Sequence, residues 1–178
     1  MDISYRRFIE TDVPKDELII SRTDLRGNIT YANELFAQIS GYSVSDLVGQ
    51  PHSVVRHPDM PHSVFKNLWE TIKREEMWSG YVKNLRNDGG YYWVYAEVSG
   101  VHKDNKLVEY KSIRQPISDE EKILYQEKYD NQRKVEEGTC RITANISTLN
   151  FEKLKKFAND EGISKDTLLD RILEDNLL

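Results

Sequence analysis

Trp78-Ser-Gly-Tyr-Val-Lys-Asn-Leu85, the reversal Asn87-Asp-Gly-Gly90 and the run from Tyr91 to Val101 decide the architecture. Aromatic and β-branched residues fill both arms, and the Asn, Asp and Gly between them are what a tight turn needs. A third run, Lys106 to Gln115, returns after another polar break, so these residues read as a three-strand meander. Upstream, Glu17 to Thr23 reads as a strand, Leu25-Arg-Gly-Asn28 as a turn and Ile29-Thr-Tyr31 as the returning strand. Asn33 is placed to cap a short helix whose Leu35, Phe36 and Ile39 recur at helical spacing before Gly41 ends it. From Pro61 to Arg74, Val64, Phe65, Leu68, Trp69 and Ile72 form one apolar stripe, with Pro61 suited to a first turn. Two strands, short helices, one longer helix and three strands predict an α+β fold, an antiparallel sheet with helices on one face and a concave side able to hold a ligand.

Beyond this unit, Ser118-Asp-Glu-Glu121 has the form of a capping box and opens a charged, helical connector to about Glu137, which Gly138 interrupts. Cys140 to Ser147 then alternates strictly, with Ile142, Ala144 and Ile146 on one face and Arg141, Thr143 and Asn145 on the other. Two helical patterns follow: Phe151, Leu154 and Phe157, then, after Gly162 and the cap Ser164, Leu168, Leu169, Ile172 and Leu173. The expected organisation is an N-terminal cap at 1–17, a first domain at 18–117, a connector at 118–138 and a small second domain at 139–178.

The 178 residues have room for one ordinary domain and a small second one, and 38% hydrophobic with 31% charged residues suits a folded, soluble chain. Apolar runs are too short for a membrane span or a signal peptide, so the expectation is a cytoplasmic protein with no membrane partner. Cys140 is the single cysteine, which excludes intrachain disulfides and thiolate-rich zinc sites. The net charge of −5 gives no footprint for nucleic acid over the chain as a whole, so any such role rests on a local arrangement.

Gly41-Tyr42, Leu47-Val-Gly-Gln-Pro-His52 and Val55-Arg-His-Pro-Asp-Met-Pro61 resemble the PAS domain of bacterial aerotaxis receptors. Phe65, Leu68-Trp69, Trp78-Ser-Gly80, Val82-Lys-Asn84, Tyr92-Trp-Val94 and Ser112-Ile-Arg114 extend the resemblance over residues 18 to 117. The resemblance implies the PAS fold, with its five-stranded antiparallel sheet, and noncovalent binding of FAD whose redox state the domain reports. Carried onto this chain, the cofactor-binding candidates are Arg56, His57, Asp59, Trp69, Trp78 and Asn84. An aromatic slot suits the flavin ring, Asn84 its polar edge and Arg56 its phosphate, while Asp59 can orient His57 or accept from a ribose hydroxyl. A light-driven flavin–cysteine adduct is not expected, because Cys140 lies outside this domain. A haem would need an axial ligand such as His57 or His62. No dinucleotide fingerprint, P-loop or substrate domain points to an enzyme.

The tail from about Arg141 resembles the ribbon-helix-helix repressors of the Arc and MetJ kind, which read DNA with a two-stranded ribbon. One strand without a partner and roughly 40 residues without a self-sufficient core make a homodimer the natural solution. The resemblance implies that Arg141, Thr143 and Asn145 face base edges of operator DNA with palindromic or repeated half-sites, and that Ser164 and Lys165 meet phosphate. Against this, six Lys and Arg face seven Asp and Glu from Thr139 onward. The expected function is therefore a redox-responsive transcription regulator, and the alternative is a flavin- or haem-sensing protein-interaction module, toxin-neutralising or adaptor-like, without sequence-specific DNA binding.

Overall fold

The structure, a computed structural model, describes residues 9–136 together with Lys156, Phe157 and Asp160, the last three helical. The chain divides into two compact units at Thr139/Cys140, and only the first is described in detail. Its strands are β1 (Ile19–Thr23), β2 (Ile29–Ala32), β3 (Trp78–Leu85), β4 (Tyr91–Lys103) and β5 (Lys106–Gln115). The helices are α1 (Glu34–Ser40), α2 (Val44–Leu47), α3 (His62–Lys73) and α4 (Asp119–Glu136), with a 3-10 turn at His52–Val55. The sheet runs β2-β1-β5-β4-β3, antiparallel throughout, so the opening hairpin joins the meander through the pairing of β1 with β5.

The local signals read from the sequence take physical form. Asn33 Oδ1 accepts from the Phe36 N–H at 3.1 Å, which caps α1, and Gly41 closes that helix in a left-handed conformation. Ser118 and Glu121 exchange the two bonds of a capping box at the start of α4, at 2.8 and 3.2 Å. The first strand begins at Ile19 and not at Glu17, and a capped turn of helix at Val44–Leu47, one of the short helices expected before the longer one, supplies the buried Leu47. Phe36, Ile19, Ile29, Leu47, Val55 and Val94 form the packed centre between the helices and the sheet. None of the described helices is long and apolar enough to cross a membrane.

Alternation along the sheet sends neighbouring residues to opposite sides. Ser21, Thr23, Val82, Asn84, Tyr110, Ser112 and Arg114 face the concave side under α3, while Tyr81 and Lys83 face the other. Helix α4 crosses that second side. Tyr125 stacks on Tyr81 with ring centroids 3.7 Å apart, and the buried Tyr129 donates from its hydroxyl to the Tyr81 carbonyl at 2.7 Å. The connector is thus a packed layer of this unit, although its sequence is highly charged.

Gly27 closes the β1–β2 turn at φ +91°, and a Cβ there would meet the Trp69 indole at 3.0 Å. Both constraints act on one atom, so Gly27→Ala must strain the backbone and displace the indole. We expect a loss of roughly 1–3 kcal/mol of stability, read from the urea midpoint; an unchanged midpoint would contradict the turn geometry.

Candidate functional site

Between α3 and the concave face of the sheet lies a cavity of about 240 Å³. Its apolar wall combines Phe65, Leu68, Trp69 and Ile72 of α3 with Trp78, Val82, Ala96, Val98 and Tyr110 of the sheet. The α3 residues are those of the apolar stripe, so the helix that reads as amphipathic presents its stripe to a space and not wholly to packed side chains. Trp69 meets Tyr110 edge-on at 5.9 Å. Trp78 folds back along its own strand over Gly80, where an added Cβ would come within 2.7 Å of the indole, and its Nε1 donates to Asn67 Oδ1 at 2.9 Å. The result is an aromatic-lined slot.

The polar wall carries several buried donors. Arg56 and Asn84 form an isolated backbone bridge that draws the 51–60 segment against β3. Among the described residues, Arg56 Nε, Asn84 Nδ2 and Arg114 Nη1 are buried without a hydrogen-bond partner, as is the nearby Tyr92 hydroxyl. Orphaned donors of this kind are rare, and three on one cavity wall are satisfied most simply by a bound acceptor. Burial lowers the Arg114 pKa to about 10 and also lowers that of Arg56, which leaves Arg114 cationic at neutral pH.

His52 completes this wall. Its Nε2 lies 2.6 Å from Arg114 Nη2 and 3.3 Å from Ser21 Oγ, and its ring stacks on Phe36 at 5.7 Å. Burial and the Arg114 guanidinium push its pKa down to about 3, so the ring is neutral and accepts from the arginine. With Nε2 committed to Arg114, His52 is a poor axial ligand for a haem.

Of the residues singled out in the sequence, Arg56, Trp69, Trp78 and Asn84 converge on the cavity. His57 and Asp59 stand behind it. His57 Nδ1 accepts from the Asp59 N–H at 3.1 Å, and its ring meets Tyr91 edge-on at 5.9 Å. Asp59 receives Lys83 Nζ at 3.0 Å and Arg133 Nη1 of α4 at 3.1 Å, so it joins the cavity loop to the far side of the sheet. Burial by itself would raise its pKa, but the Lys83 bond and charge, with His57 and Arg133, hold it below the usual carboxylate value. Arg141, Thr143, Asn145, Ser164 and Lys165 lie outside the described residues.

Sequence reasoning passed over His52, Arg114, Ser21 and Phe65 as site residues. The alternation of β5 carried the signal: Tyr110, Ser112 and Arg114 share a face with the core, and a cation there needs a partner.

Residues 29–114 match the family described as PAS fold. The chain is 47% identical over 111 residues to the aerotaxis receptor of Escherichia coli K12, across 62% of this chain and 22% of that protein. It is 32% identical over 109 residues to the nitrogen fixation regulatory protein of Klebsiella pneumoniae, across 61% of this chain and again 22% of the relative. The light-state structure of the blue-light photoreceptor Aureochrome1 LOV superposes with a TM-score of 0.56 at 23% identity, over 62% of this chain and 90% of that one. The first unit of this chain therefore contains a PAS domain. It is homologous to part of the aerotaxis receptor and of the nitrogen fixation regulatory protein, and the chain spans about a fifth of the length of these two relatives.

Because the folded His52 holds its neutral form down to about pH 3 while its ordinary value is 6.5, the unfolded chain takes up the proton first as pH falls. The contribution of this group is complete above about pH 6.5 and is lost progressively toward pH 3. Unfolding midpoints measured between about pH 7 and 4 should fall, and His52→Gln should flatten that slope; identical slopes would contradict a neutral, partly buried imidazole.

Proposed function

We propose that this chain is a redox-responsive regulator in which the PAS cavity binds FAD and the bound flavin's state is passed through α4 to a DNA-binding tail. The observation that carries the cofactor reading is the set of three orphaned donors, Arg56 Nε, Asn84 Nδ2 and Arg114 Nη1, on one wall of an aromatic slot. An isoalloxazine is a flat tricycle with carbonyl oxygens and ring nitrogens along one edge, which is the complement of that wall. When bound, flavin supplies reversible electron and proton uptake; the residues here position its ring and surround its polar edge with donors. Homology to the aerotaxis receptor supports a redox input.

Asp59 supports the output step. It sits three residues from Arg56, and Lys83, its partner, adjoins Asn84 on β3. A displacement of the cavity loop is thereby felt by Arg133 of α4. Gln132 and Glu136 also hold the start of α3 through Ser63, and Glu136 accepts from the His62 N–H at 2.7 Å. The tail's resemblance to ribbon-helix-helix repressors supports homodimerisation and operator DNA as the target of Arg141, Thr143, Asn145, Ser164 and Lys165.

Titration of FAD by the quenching of its fluorescence tests the cofactor assignment. Parent protein should bind, and Asn84→Ala should bind about 5- to 150-fold more weakly while remaining folded, the loss expected for one buried bond of about 1–3 kcal/mol. A parent that takes up no flavin, or an Asn84→Ala variant of parental affinity, would overturn this assignment.

A further inference from the structure

The cavity is too small for a whole dinucleotide. At about 240 Å³ it lies just under the range of roughly 300–1,000 Å³ typical of ligand pockets, so it suits a flavin ring while the ribityl chain and beyond must leave through the opening. The lining residues that remain exposed, Arg26, Pro51 and Ser53, mark that opening.

The charge along this exit is one-sided. The cavity is lined by three arginines and by no aspartate or glutamate, in a chain whose net charge is −5. The three are not equivalent. Arg114 is deep and engaged with Ser21 and His52. Arg56 is half-buried with its guanidinium 3.8 Å above the Phe65 ring. Arg26 is exposed at the rim, and among the described residues its guanidinium enters no hydrogen bond or ion pair.

The backbone around Arg26 is fixed by its turn. The nearby Asp24 carboxylate is occupied within the turn, accepting from the Arg26 N–H at 2.9 Å and from the Asn28 N–H and Nδ2 at 2.8 Å each. The Gly27 carbonyl accepts from the His52 N–H at 2.9 Å, which ties this turn to the segment that carries Arg56. The Arg26 backbone is thus anchored beside the opening, on a segment adjoining the one that carries Arg56. A planar fork of donors matches phosphate oxygens, and a diphosphate outside the cavity offers them to Arg26.

We propose that Arg26 is the residue that selects a diphosphate-bearing flavin, FAD, over flavins without phosphate, acting on the part of the ligand outside the cavity. This rests on the flavin reading above, and the test separates the two. Fluorescence titrations would measure riboflavin, FMN and FAD against the parent chain, Arg26→Gln and Arg26→Lys. The parent should prefer FAD to riboflavin. Arg26→Gln should lose about tenfold in FAD affinity, the scale of one charge-assisted bond, less for FMN, and less than about twofold for riboflavin. Arg26→Lys should recover part of the loss. Raising ionic strength should weaken FAD binding less steeply in Arg26→Gln than in the parent, since the contact is exposed and screened over about 8–10 Å. An unchanged thermal midpoint checks that the exposed substitution leaves the fold intact. Equal losses for riboflavin and FAD, or no loss for either, overturn the role of Arg26 while leaving the ring site standing; failure of every flavin to bind the parent removes both.

Discussion

Lys83 and Asn84 are consecutive on β3, and the strand's alternation sends them to opposite faces of the sheet. Asn84 ends on the cavity wall with an unsatisfied amide, and Lys83 ends under α4, 3.0 Å from Asp59 and 3.0 Å from Gln126. The loop opposite repeats the division, with Arg56 bridging to Asn84 and Asp59 turned toward Lys83 and Arg133. A buried ammonium 7% exposed persists only with such partners, since an uncompensated charge in this setting is strongly destabilising. The Lys83–Asp59 contact therefore fixes the loop, the strand and the helix in one arrangement, and the cavity geometry follows from it.

The cavity has the opposite electrostatic character to the chain that contains it. Arg114 remains charged while buried because it donates to Ser21 and to a His52 kept neutral, and its guanidinium lies 4.9 Å above the Phe36 ring. None of these partners cancels its charge. A site built this way favours an electron-rich ligand, and it favours that ligand more when the ligand gains negative charge, because the low local dielectric strengthens the interaction. On the flavin reading proposed above, redox sensitivity and ligand preference share one origin in the donor wall.

Much of the fold was legible because its signals are periodic or chemical. The meander was visible in alternating aromatics around Asn87 to Gly90, α3 in its apolar stripe, and α4 in its capping box. Arg56, Trp69, Trp78 and Asn84 were legible from the resemblance to aerotaxis-receptor PAS domains, and all four line one cavity. His57 and Asp59 were legible as a pair and not as a direction: a turn has no period, so nothing in Arg-His-Pro-Asp says which side chain faces the cavity and which faces α4. Arg114 escaped notice although its β5 face carried the signal, and His52 because a 3-10 turn has no strand period to read. Helix α4 reads as solvated from its charge, yet Arg133, Gln126 and Tyr129 are its docking groups, and docking through polar contacts leaves little apolar pattern to read.

Amide hydrogen exchange along α4 reaches the central claim, that the contents of the cavity and the attachment of this helix are one equilibrium. Exchange of residues 125–136 would be followed in the full chain with FAD oxidised, with FAD reduced and with flavin removed, alongside Asp59→Asn in each condition. The account predicts that protection in this segment differs between the oxidised and reduced forms, and that Asp59→Asn lowers protection and abolishes the difference while Tyr91–Lys103 of β4 stays protected. Protection of α4 that is the same in both redox states, with or without Asp59, would contradict it.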